Sequence, residues 1–398
     1  MSAIQVFITN FAKWITNTSG GFAMQIIEVK NNSDLREFVR FPRRLYRDCP
    51  YYVPPIDALE IKELTQHPAL DFCTRRLWLA KINGQTVGRI AGIINHRYNE
   101  LKQQKRIRFG WFDVIDNQEV AAQLLATVEQ WGRENGLDTI AGPSRFSNMQ
   151  RQAMLVEGFQ HTGSIEADYN FDYYPRLVEN LGFTKEVDYI QYKVKVKEVP
   201  EAVNRMASYI SHKSKVKVRQ YSSKVKLKMI GEEFFRVLNE SYQNIFNFIP
   251  LTDKEIRWVV DGNFGIALPN LVSVLEDETG KLVGISFCLP SLSRAFQKAN
   301  GHLFPFGWMR IVHDLHHNKN VDMYLTGVLP EYANSGVHIL YHKQLNEAFL
   351  HNGYEYAFTS QQLEDNPANH IWTKYYESEP FCRRRCYKKE ILPPGNHE

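Results

Sequence analysis

Residues 324–352 read YLTGVLPEYANSGVHILYHKQLNEAFLHN. Met323, Leu325, Gly327 and Leu329 alternate along its start, which lays out one face of a strand. A turn follows at Pro330-Glu331. From Gly336 the apolar residues Val337, Leu340, Tyr341, Leu345, Ala348 and Phe349 recur at helical spacing, and Asn352-Gly353 ends the run. The period changes from about two to about 3.6 residues, which predicts strand, tight loop, helix. A loop of small residues opening a helix leaves backbone N–H groups without acceptors at the positive end of the helix dipole. That is a seat for a phosphate.

Within this stretch, GVLPEYANSGVHILYHKQL resembles the acyl-CoA pyrophosphate loop of the GNAT N-acyltransferase superfamily, V-x-P-x-[Y/H]-[Q/R]-x-x-G-x-[G/A] after a strand. Val328, Pro330, Glu331, Tyr332 and Gly336 stand in register, while Ala333 occupies the Gln/Arg position and His338 the final small position. The resemblance implies acetyl-CoA or another acyl-CoA as co-substrate and no metal. It implies that backbone groups of Gly327, Val328 and Leu329 meet the thioester and pantetheine. Residues Ala333, Asn334, Ser335, Gly336, Val337 and His338 would hold the pyrophosphate, and Asn366 would lie on the pantetheine side. A plain helix N-cap before Pro367 is the other reading of Asn366. The family often uses a Tyr seven residues after that Asn as acid, and Thr373 stands there. Tyr375 and Tyr376 are the neighbouring candidates for the acid. Glu364, Asp322 and Tyr324 are candidates for base or amine anchor.

Outside this stretch the chain reads twice. GQTVGRIAGI and GKLVGISFCL follow hairpin turns at Asn83-Gly84 and Thr279-Gly280, and Gly88 and Gly284 are 196 residues apart, as are Asn170 and Asn366. An internal duplication explains this. Asn170 with Leu181-Gly182-Phe183, and the segments RFPRRLYRDCPYYVPP and GPSRFSNM, resemble a bacterial tandem GNAT-like group. The implied fold is α/β: two tandem GNAT-like domains, each a mixed twisted sheet flanked by helices. The expected boundaries are a flexible extension over 1–23, with Met24 as a candidate start, a first domain over 24–198, a second over 199–390, and a tail from 391 to 398.

The first half has no glycine loop. Its strand-to-helix junction, FDVIDNQEVAAQLL, carries Asp113 and Asp116, which would repel a pyrophosphate. We therefore expect a degenerate first domain. The Lys-Val alternation in 193–228 reads as a strand with one wet face bridging the domains. Between hairpin and central strand the second half carries an insertion, Ser291 to Asn320. Its Phe304-Pro305-Phe306-Gly307-Trp308 run reads as core packing ahead of an apolar substrate pocket.

Composition sets outer bounds. Of 398 residues, 43% are apolar and 13% aromatic, which describes a folded protein, and a net charge of +4 demands no anionic partner. Five scattered cysteines suit a reducing, cytoplasmic setting. No apolar run long enough to span a bilayer occurs. His338 and His342 have a metal-ligand spacing on one helix, but packed or surface imidazoles are the simpler reading. The sequence thus points to a CoA-dependent N-acyltransferase with its site in the C-terminal domain and a small-molecule amine or peptide as acceptor. No membrane partner is expected, nucleic acid is disfavoured, and a homodimer is one option the sequence leaves open. The alternative is a GNAT-shaped protein that binds a ligand or partner without turnover.

Overall fold

A computed structural model describes residues 24–366 and 369–391. The expected extension 1–23 and the tail beyond Ile391 lie outside the described residues. Ile391 itself is buried and donates its amide to the Asp138 carbonyl at 2.7 Å.

The strands are β1 (Met24–Glu28), β2 (Cys73–Ile82), β3 (Gln85–Asn95), β4 (Arg106–Val114), β5 (Thr139–Gly142), β6 (Met154–Glu157) and β7 (Thr184–Lys195) in the first half. In the second half they are β8 (Lys217–Arg219), β9 (Val272–Glu276), β10 (Leu282–Pro290), β11 (Asn320–Val328), β12 (Tyr356–Phe358), β13 (Gln362–Leu363) and β14 (Ser378–Glu390). One continuous sheet joins them in the order β1-β2-β3-β4-β5-β14-β7-β12-β11-β10-β9-β8, with β6 beside β14 and β13 beside β7. Read from either edge, the order is the same repeat.

The two halves exchange their last strands. β7 pairs with β12 (Ala357 opposite Val194), while β14 pairs with β5 (Lys388 opposite Ala141). At the centre β7 and β14 pair antiparallel with each other, from Ser378 opposite Val194 to Lys388 opposite Thr184. The cores follow the exchange. Tyr192 and Val194 pack into the second-half core, and Cys382, Tyr387 and Ile391 pack into the first. Cutting at residue 198 divides the sequence but leaves each sheet without the strand the other half supplies.

Each half opens a gap between two parallel strands. β4 and β5 pair over three residues, 106–108 with 139–141, and β11 and β12 over 320–322 with 356–358; beyond that they diverge. An irregularity in the outer pairing of the central strand accompanies each divergence. In β4 Trp111 has φ +44°, and in β11 Tyr324 falls at a register shift opposite Phe287/Cys288. A bulge adds local twist and turns a strand away from its neighbour.

The insertion forms helices Ser293–Ala299 and Gly307–His316 and bridges the halves. The Asp57 amide donates to Gly301, Arg43 to the Asn300 carbonyl at 2.7 Å, and Gln297 to Pro50 and Tyr52. The expected core packing of its aromatic run does not occur: Phe304, Phe306 and Trp308 are 73%, 65% and 45% exposed. The buried partners are instead Leu292, Phe296, Ala299 and Leu315, with Val53 and Ile56 of the first half.

The Lys-Val region is likewise not one strand. It divides into the end of β7, a helix Glu201–Ser214, the short β8, and a helix Lys224–Met229 capped by Ser223. Alternating Lys and Val suits a wet strand face, but Ser223 supplies an N-cap that starts a helix at the last repeat.

Candidate active site

The chain after β11 builds an open cradle. Pro330–Tyr332 make a single 3-10 turn, and helix His338–His351 follows. Tyr332 N–H donates to Leu329, Ala333 N–H to Pro330, and Ser335 N–H to Tyr332. The Ser335 hydroxyl donates to the Tyr332 carbonyl at 2.6 Å and accepts from Val337 N–H at 3.4 Å, so this side chain shapes the loop. Gly336 sits at φ +78°, where a side chain is strained, and a Cβ there would come within 3.3 Å of Ile210. The N–H groups of Asn334, Gly336 and His338 have no acceptor among the described residues. Free amides at a helix N-terminus fit an anionic oxygen cluster.

Three residues upstream of the loop were expected to meet the thioester through their backbone. Leu329 does not: its N–H is bonded to the Val283 carbonyl at 2.9 Å. Strand alternation turns Gly327 to β10 as well. The same alternation turns Thr326 and Val328 toward the gap. The Thr326 carbonyl already accepts from the Tyr242 hydroxyl at 2.9 Å. Val328 N–H and C=O meet no described residue, which leaves it as the backbone group free to hold a ligand in the gap.

The first half has the same frame with its positions filled. Val114 lies opposite Gly88 as Val328 lies opposite Gly284, and Ile115 N–H bonds Val87 as Leu329 bonds Val283. Val114 N–H donates to the Tyr174 hydroxyl at 2.9 Å, and the Tyr173 hydroxyl donates to the Val114 carbonyl at 2.7 Å. Tyr174 contacts the Tyr46 hydroxyl at 2.8 Å, and Tyr46 donates to Asp113 at 2.9 Å. At the helix start the Asn117 side chain accepts from Glu119 and Val120 N–H, and Asp116 pairs with Arg176.

A second group of side chains lies where the halves meet. Asp322 on β11 is 4% exposed; one carboxylate oxygen has no partner among the described residues, and burial pushes its pKa up to about 7 against a hydrogen bond from Ser291. Glu166, from the first half, is raised well above the usual carboxylate range by burial and by Asp322, with Arg384 opposing. The Tyr324 hydroxyl is buried without a partner among the described residues, and its pKa is raised by burial, Asp322 and Glu166. Beside them Arg145 bridges Glu60, Glu63 and Asp168, and Arg151 reaches Glu60 and Asp168. Two carboxyls and a phenol with free hydrogen-bonding capacity suit an amine. Asp322 was legible in the sequence. Glu166 was not, because it lies in an aperiodic stretch and only the strand exchange brings it to β11.

The remaining sequence candidates fall in different places. Glu364 stands just past the β13–β7 ladder, held by Lys185 and by Arg383 at 3.0 Å, so its carboxylate is already committed to two cations. Tyr376 is half-buried against Trp372 and His342, and burial pushes its pKa up to about 12, so it holds its proton at neutral pH. Tyr375 lies under the Lys374 ammonium, 5.1 Å from its ring centre. Asn366 donates its amide to Leu363 and accepts from Asn369, while its repeat partner Asn170 bonds both N–H and C=O of Leu155. His342 is packed against Trp372, with burial holding its pKa down to about 3, and burial also lowers His338. Among the described residues no group of three or more His, Cys, Asp or Glu is placed to hold a metal ion, and no helix is long and apolar enough to cross a membrane.

No protein-family model matches the chain. Among solved structures, a tandem GNAT protein from the clavulanic acid biosynthesis pathway superposes with a TM-score of 0.55 at 12% identity, over 94% of this chain and 100% of its own. The fold is that of the tandem GNAT proteins. A GCN5-related N-acetyltransferase from Sphaerobacter thermophilus superposes with a TM-score of 0.51 at 11% identity, over 94% of this chain and 96% of its own. Among curated sequences, Protein YghO of Escherichia coli is 27% identical over 376 residues, 91% of this chain and 94% of that protein. A protein named bacterial ceramide synthase, from Caulobacter vibrioides, is 26% identical over 298 residues, 73% of this chain and 76% of that protein.

Proposed function

We propose that the chain is a CoA-dependent N-acyltransferase whose working site lies in the second half. One observation carries this reading: Val328 N–H and C=O are free beside an open amide cradle, whereas the equivalent Val114 is closed by Tyr174 and Tyr173. The acyl-CoA pyrophosphate would rest on Asn334, Gly336 and His338 N–H, with the pantetheine along Val328 and the thioester farther up the gap toward Tyr324 and Asp322. The acceptor amine would enter from the seam. There Asp322, with a pKa near 7, takes the proton of the ammonium, and the neutral amine attacks the thioester carbon. A gap-facing backbone N–H of β11 would stabilise the developing oxyanion, and Tyr376 would protonate the departing thiolate and recover its proton from the nitrogen as the intermediate collapses to the amide.

The relative named bacterial ceramide synthase supports a long acyl chain and an amino-lipid acceptor, since a ceramide is an N-acylated long-chain amino alcohol. The buried free thiols favour a cytoplasmic setting. Release of free CoA from acetyl-CoA and palmitoyl-CoA, screened over simple and long-chain amines, tests the reading. Release that requires both a thioester and one class of amine supports it. The departures Ala333, His338 and Thr373 favour the second reading, a GNAT-shaped binding protein. Acyl-CoA binding with no CoA release over the whole screen would select that one.

A further inference from the structure

The aromatic run that the core leaves out forms a face of its own. Phe304, Phe306, Trp308, Met309 and Val312 are 73%, 65%, 45%, 51% and 47% exposed. On helix Gly307–His316 the exposed positions 308, 309 and 312 share one side, Asp314 is buried on the other, and Leu315 is buried at the border beside Trp308. A single exposed apolar side chain needs no explanation. Five within nine residues form a patch that water alone does not stabilise.

The charges around this face have one sign. Among the described residues Arg294, Lys298 and Arg310 are exposed and make no ion pair, while Lys319 pairs with Glu355. The insertion's one acidic residue, Asp314, is buried. His302, His313, His316 and His317 are exposed on the same segment. From the packed first half, Arg43 and Arg40 share Asp57, which offsets one of their two charges. An exposed apolar face with tryptophan, phenylalanine and cations unpaired among the described residues has the chemistry of a side chain layer that enters a headgroup region. A second copy of the chain fits worse, because an isologous contact would set the three free cations of each copy against those of the other.

We propose that the Phe304–Val312 face docks this protein on an anionic lipid surface without spanning it. The expectation of no membrane partner rested on the lack of a spanning segment, a test to which an interfacial face is invisible. The insertion also feeds the site directly. It enters β11 at Asn320, two residues before Asp322, and Ser291 at its other end accepts Asn318 and hydrogen-bonds Asp322. A docked protein would thus hold its acceptor seam close to the lipid. The docking itself does not depend on the acyl-transfer reading, and its test reads binding alone.

The test is co-sedimentation of the full chain with vesicles of phosphatidylglycerol and, separately, of phosphatidylcholine. Three proteins are compared: the natural chain, Phe306→Ser with Trp308→Ser, and Lys298→Glu with Arg310→Glu. We expect at least tenfold stronger partition onto phosphatidylglycerol than onto phosphatidylcholine, and at least tenfold loss in either double variant. All four positions are exposed, so the thermal midpoint should stay within a few degrees, which separates lost docking from lost folding. No binding to phosphatidylglycerol overturns the proposal. Binding that survives the Phe306/Trp308 variant overturns it too, since charge alone would then suffice. A concentration-dependent dimer that the same variant dissociates, without vesicle binding, assigns the face to a second copy instead.

Discussion

Val114 N–H donates to the Tyr174 hydroxyl at 2.9 Å, and that bond heads a buried chain through Tyr46 to Asp113 and on to Arg89. The chain closes in the first half the gap that stays open beside Val328 in the second. Tyr174→Phe leaves a buried N–H and the Tyr46 oxygen without their partner. We expect a loss of about 1–3 kcal/mol in stability, read by chemical denaturation, with acyl-CoA affinity unchanged. A large fall in affinity at constant stability would place the cofactor in the first half.

Asp322 sets a pH dependence. Its folded pKa, near 7, is raised by burial above the ordinary aspartate value, and a general base must be ionised. We expect kcat/KM to rise with pH on a limb near 7, and Asp322→Asn to lower it by roughly 10²–10⁴-fold and remove that limb. The stability sign runs the same way. A raised carboxyl pKa favours the folded state while protonated, so this contribution is full below the unfolded aspartate value and fades as pH rises toward 7. Asp322→Asn should therefore gain stability relative to the natural chain more at pH 8 than at pH 5, read by thermal unfolding at both.

Tyr376 and Tyr375 separate on packing. Tyr376 is fixed against Trp372 and His342, whereas Tyr375 meets Lys374. If Tyr376 donates the proton to the leaving thiolate, Tyr376→Phe lowers kcat by roughly tenfold or more with KM for acyl-CoA little changed. Tyr375→Phe should leave both within about twofold. Equal effects from the two variants would remove Tyr376 from the proton path.

The strand exchange has its own mechanical test. Asp188 on β7 is 1% exposed and holds Arg385 of β14 at 2.8 and 3.0 Å. Burial acts to raise its pKa, but bonds from Arg385 and Lys185 outweigh that and lower it. Its contribution is therefore present above the unfolded aspartate value and is lost as pH falls through the still lower folded one. Asp188→Ala should cost about 1–3 kcal/mol near neutral pH by denaturant unfolding, because it removes the buried carboxylate that accepts charge-assisted bonds from Arg385 and Lys185. Residues 24–198 expressed alone should fail to give a cooperative transition. A stable, cooperatively folding fragment would contradict the exchange.

Much of this was legible in the chain. The period change around Pro330 located strand, loop and helix, and Gly88 with Gly284 announced the duplication, because local pattern and turn residues encode both. The exchange was not legible, since β7 and β14 carry the same alternation whichever partner they pair with. Leu329 was misassigned for a related reason: which amide faces the gap depends on register, and a shift of one residue inverts it. The Phe304–Trp308 run misled because apolarity predicts burial on average, and only coordinates reveal a face that has none.

The most direct measurement is calorimetric titration of the full chain with palmitoyl-CoA and acetyl-CoA, repeated on Gly336→Glu. Gly336 sits at φ +78° in the cradle, so glutamate there both strains the loop and sets a carboxylate against the pyrophosphate. We expect one site per chain and at least a hundredfold loss in the variant. Two sites per chain, full affinity in Gly336→Glu, or no binding of either thioester would contradict an acyl-CoA site on this loop.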